Sequence, residues 1–147
     1  MRRAVAASLF ALLLSGCGSD SNPTAPQISI TGKWVYNATN VAGSGVSCNF
    51  GGANFTLTQS GTTFTGTTAG GTISCLANGS TFSSDLGGDV IANGVINGNS
   101  VQFDIGTQDI HNVGTLTGSS IAGVVTLRVQ TGTTTVILSG NFTAVKQ

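Results

Sequence analysis

Ser60-Gly61-Thr62-Thr63-Phe64 recurs as Asn97-Gly98-Asn99-Ser100-Val101 and again as Thr117-Gly118-Ser119-Ser120-Ile121. Each time a glycine stands three residues before an apolar residue that restarts an alternation of apolar and polar side chains. Glycine supplies the positive φ of a tight hairpin turn, so the three units predict three similar antiparallel hairpins. Outward from them the period is two throughout, with no competing helical period. Ile30, Gly32, Trp34 and Tyr36 share one parity, and so do Val101, Phe103 and Ile105, opposed by Gln102 and Asp104. Strands are expected at about 28–41, 52–59, 62–76, 88–97, 100–106, 111–118, 120–130 and 133–146. An eight-stranded meander loses its exposed edges by closing. The expectation is an all-β, eight-stranded antiparallel up-and-down barrel, its interior nearly filled or enclosing one small ligand.

Composition narrows the function before any motif does. The chain has 147 residues, with 22 glycines, 21 threonines, ten charged side chains and no glutamate. One histidine, one tryptophan and one tyrosine leave most acid–base catalytic kits without parts. Formal net charge is zero, which gives no basic footprint for nucleic acid. Charged residues make up 7 %, against a usual ~25 %. An apolar share of 39 % still suffices for a core, and the length suits one domain.

Gly32-Lys33-Trp34 on the first expected strand resembles the G-x-W start shared by lipocalins and avidins, both eight-stranded up-and-down barrels of the calycin type. The resemblance is one short motif plus the meander, so it speaks for architecture. Lipocalins set a basic residue of the last strand against that tryptophan, which implies Lys146 over Trp34. Avidins ring biotin with several tryptophans, and Trp34 stands alone here, so biotin is excluded.

The other end of the chain speaks of location. Met1-Arg2-Arg3 is a positive start, and Ala4 to Leu14 is apolar apart from Ser8. At eleven residues that run is too short to cross a bilayer, which takes ~20, and suits a signal-peptide core. Leu14-Ser15-Gly16-Cys17 resembles the lipobox of bacterial lipoproteins. The resemblance implies cleavage before Cys17 and fatty acylation of that residue, palmitate being the typical chain, with two or more chains giving stable anchoring. An ordinary secretory signal is the alternative. Gly18 in place of aspartate favours the outer membrane if the cell has one. The division expected is a signal peptide at 1–16, a lipidated Cys17 and flexible tether at 17–27, and a barrel at 28–147. The part from Cys17 onward keeps three cations against five aspartates, a net charge of −2.

Alternating strands put the three glycine hairpins and the tether at one end. The connections 42–52, 77–87, 106–110 and 130–133 then form the far end, where Cys48 and Cys75 both fall. An even pair in an exported protein favours a disulfide, with two free buried thiols as the alternative. Zinc would find only His111 as a further soft ligand, so no metal is expected. Tyr36, Asp104, Asp109 and His111 are the candidate ligand-end residues. A Ser/His/Asp site lacks any nucleophile elbow. The plainer account makes His111 a strand cap and the aspartates turn formers.

These residues lead to a non-enzymatic, lipid-anchored cell-envelope barrel without cofactor. It would be structural, or would bind a small apolar ligand or an envelope protein at the end remote from the membrane. The alternative is a barrel that binds proteins as protease inhibitors do. A filled interior favours a structural barrel, a cavity above the core layer favours a ligand, and a segment protruding past the rim favours inhibition.

Overall fold

The computed structural model describes residues 28–106, 109–131 and 133–147. Cys17, the lipobox and the tether lie outside them. The described chain has ten strands: β1 (Gly32–Gly43), β2 (Val46–Ser60), β3 (Thr63–Ala69), β4 (Thr72–Ala77), β5 (Ser80–Asp85), β6 (Val90–Asn97), β7 (Ser100–Ile105), β8 (Ile110–Thr117), β9 (Ser120–Thr131) and β10 (Thr134–Lys146). Eight of them run β1-β10-β9-β8-β7-β6-β3-β2, and a β1–β2 pairing closes the ring. All pairings are antiparallel. The expected up-and-down barrel is the fold.

The repeated units are hairpin turns. Gly61, Gly98 and Gly118 have φ of 61°, 58° and 59°, while the residue after each stays at negative φ. That is the pattern of a turn with glycine at its first central position. The β2–β3, β6–β7 and β8–β9 hairpins gather at one end with residue 28 and Gln147. The opposite end is called the far end below.

Parity decides what is buried. Trp34, Phe55, Leu57, Phe64, Phe103, Leu127, Leu138 and Phe142 all lie in the core, as their alternation requires. The outward positions are mostly threonine, serine and asparagine, with scattered valines. A barrel that crosses a bilayer has the reverse arrangement, apolar outside and polar inside. Ile30 closes the core at the tether end, where its carbonyl accepts the Trp34 indole N–H at 2.8 Å.

Four boundaries differ from the alternation-based expectation. Residues 28–31 cap the end of the barrel, and β1 begins at Gly32. The expected strand at 52–59 starts at Val46, because Gly51-Gly52 is an irregularity within a strand, not a turn. The expected strand at 62–76 is two strands, β3 and β4, broken at Gly70-Gly71, where φ is 64° and 93°. The expected connection 77–87 contains β5. The hairpin β4–β5 stands outside the eight-strand ring and pairs only with the first half of β2.

Cys48 and Cys75 are bonded and are register partners in β2 and β4. The sequence places Cys48 in the connection 42–52 and Cys75 at the end of a strand, whereas both lie within strands and the bridge joins adjacent ones. The Asn78-Gly79 turn makes Ala77–Ser80 the hydrogen-bonded pair beside it, and Cys75–Phe82 the next such pair. The peptide groups of Cys75 therefore face β5. Cys48–Cys75 is then a non-hydrogen-bonded pair, the kind whose side chains approach most closely. The Cα–Cα distance is 4.0 Å.

Candidate functional site

Three of the four candidate residues come together at the far end, and Tyr36 does not. Asp104 near the end of β7 is the cross-strand partner of His111 near the start of β8. His111 Nδ1 lies 2.5 Å from Asp104 Oδ1, and Asn93 donates to Oδ2 at 2.8 Å. Asn93 reaches that position because β6 shifts register between Ala92 and Val95, with Asn93 at a φ of 52°. Asp104 points outward, as its parity requires, yet its side chain keeps only 10 % of its exposure beneath these neighbours, against 49 % for His111. Removal from water pulls the Asp104 pKa up. The hydrogen bonds from Asn93 and His111, with the charges of His111 and Arg128, outweigh that and hold the carboxyl below its usual value.

Asp109, Thr126 and Arg128 complete this outer surface around an open cleft of about 210 Å³. The Arg128 N–H donates to the Asp109 carbonyl at 2.8 Å, which ties the start of β8 to β9. Asp104 is thus a strand residue with a fixed ring partner, and the turn-former account fails for it. Asp85, which that account did not include, does serve a turn: its Oδ1 accepts the Gly87 N–H at 2.7 Å.

Tyr36 sits in the middle of the core. Its ring stacks on Phe55 and Phe142, with centroids at 4.8 and 5.5 Å. Its hydroxyl donates to Asn112 Oδ1 at 2.9 Å, and both residues are fully buried. Burial pushes the phenol pKa far up, so it remains a donor. Asn112 in turn reaches the carbonyls of Phe103 and Ile110 at 3.4 Å. This pair is a satisfied polar tie across the barrel, remote from the rim.

A second, larger far-end cleft of about 440 Å³ lies between the segment after β5 and the facing ends of β7, β8 and β9. Leu86 is buried there, its carbonyl accepting the Thr68 hydroxyl and its N–H bonded to the Gly71 carbonyl at 3.0 Å. Sequence reasoning missed Leu86, Asn93 and Arg128 as parts of this end, and Asn112 as the partner of Tyr36 in the core. Asn112 was legible from its parity with Ile110 and Leu116, and Asn93-Gly94 from its turn-like composition. Among the described residues no group of three or more His, Cys, Asp or Glu side chains could hold a metal ion. Comparison with protein-family models, curated proteins and solved structures gives no match for this chain.

Proposed function

We propose that the protein is a non-enzymatic lipoprotein of the cell envelope, held by acyl chains on Cys17, whose barrel presents its far end for recognition. The observation that carries this reading is the polarity of the barrel. The described chain begins at the end bearing the three short glycine hairpins, while the clefts and the disulfide-braced β4–β5 hairpin occupy the opposite end. Aromatic packing through the interior, from Trp34 to Phe103 and Phe142, supports recognition at the rim over ligand storage in the barrel. In cells fed an alkyne fatty acid, the wild-type chain is expected to take up label and fractionate with membranes. Cys17→Ser is expected to lose both properties. An unlabelled wild type, or a Cys17→Ser variant that stays in the membrane, would remove the anchor.

The protease-inhibitor alternative is favoured by one observation. Leu76 and Phe82 are 48 % and 47 % exposed on the braced hairpin outside the ring. Exposed apolar residues on a rigid element are what a protein partner could bury. If this reading holds, inhibition of one or more secreted proteases would be seen with wild type and lost in Leu76→Ser/Phe82→Ser. Inhibition unchanged by that double substitution, or none by wild type, would leave the first reading alone.

A further inference from the structure

We propose that the 440 Å³ cleft at the far end is a binding site for a small organic cation with an apolar body. The proposal deepens the reading of that end as the recognition end and rests on it. Two features of the cleft point to this class of ligand. The first is its apolar lining, in which Ile73 and the exposed Val90 flank a floor where Leu86, Ile105, Ile110 and Leu127 lie just beneath the surface. A floor of this kind takes apolar atoms and offers nothing to a bare ion.

The second is charge. Asp85, Asp89 and Asp109 stand around the cleft, opposed by Arg128 alone. All four described aspartates are at this end, whereas the two described lysines, Lys33 and Lys146, are at the other. The field at the cleft therefore favours a cation and disfavours a carboxylate or phosphate. The aspartates do not converge into a metal cage among the described residues. An ammonium group among the carboxylates, with its hydrocarbon part on the floor, uses both features. The volume falls in the range of small-molecule sites, and the mouth of a barrel is where such sites recur.

The test uses the full chain in zwitterionic micelles, with isotope-labelled Ile and Leu methyl groups. Titrants are hexylammonium, hexanol and hexanoate, matched in apolar length, with each affinity referred to the free aqueous concentration so that unequal partition into the micelle is removed. Hexylammonium is expected to shift the Ile105, Ile110 and Leu127 methyl signals saturably, and hexanoate to leave them in place. Asp89→Asn/Asp109→Asn should weaken binding by about threefold per carboxylate. Arg128→Gln should tighten it by a similar factor, a sign that loss of structure would not produce. Absence of a saturable shift, equal affinity for hexanol, or indifference to Arg128→Gln would overturn the proposal. Failure here with Cys17 labelling intact removes the cation and keeps the anchored barrel. Binding without labelling does the opposite.

Discussion

Around Trp34 the packing is tight enough to measure. The indole is buried, its N–H is held by the Ile30 carbonyl at 2.8 Å, and Lys146 Nζ lies 5.6 Å from the ring centre. Lys146 also donates to the Ser29 carbonyl at 3.2 Å, so one side chain ties the last strand to the cap. The contact of Lys146 with the Trp34 ring that the G-x-W resemblance implied is present. Gly32, at a φ of 135°, is where Lys146 crosses, and a Cβ there would meet its Cε at 3.0 Å. Trp34→Ala is expected to cost ~3–5 kcal/mol in urea unfolding, and a loss below about 1 kcal/mol would contradict full burial. Asp104 gives a second test at this scale. Its pKa is depressed in the folded state, so its contribution to stability is complete above the unfolded value of ~3.9 and fades as pH falls through the lower folded value. Asp104→Asn should therefore be less stable than wild type at neutral pH, with the gap narrowing in acid. A gap of constant size from neutral pH to pH ~2 would refute this.

Elements with uninterrupted alternation were legible, and those interrupted by glycine were not. β9 and β10 pair with each other without a bulge, as β7 does with β8, and the period of alternate burial alone locates them. In β2 the alternation of Val46, Cys48 and Phe50 is equally regular. Glycines at 43, 45, 51 and 52 made it look like a loop, because glycine chemistry is the same at a bulge and at a turn. β5 has no buried residue, so it carries no hydrophobic signal at all. Only its pairing to β4 orders it. The candidate site was half legible for the same reason: parity placed Asp104 outward and Tyr36 inward, but depth along a strand cannot be read from parity. The hairpin β4–β5 depends on its brace. Cys48→Ala/Cys75→Ala closes no loop across the 27-residue separation, and by the chain-entropy argument should cost ~3–4 kcal/mol. Amide exchange should accelerate most in β4 and β5. Uniform acceleration over the whole barrel would show that the hairpin is no separate unit.

The molecule as a whole closes only when its first and last hairpin partners meet. β10 lies between β1 and β9, pairing along most of its length with each. Removing residues 134–147 would expose β1 and β9 as free edges and take Leu138 and Phe142 out of the core. Such a truncation is expected to lose cooperative unfolding by circular dichroism and to aggregate. A truncated chain with a sharp wild-type-like transition would mean that closure through β10 is dispensable.

The pairing of Trp34 with Lys146, and the bond from the Gln147 N–H to the Lys33 carbonyl at 2.9 Å, bring the two ends of the barrel sequence side by side. Taken from Ile28 to Gln147, the barrel is thus a ring of strands with no privileged beginning. Joining Gln147 to Ile28 through a short linker and opening the chain between Asn78 and Gly79 would give a circular permutant with every barrel pairing retained. Its new termini would emerge at the far end, so anything fused to them would stand on the side of the acidic cleft instead of opposite it.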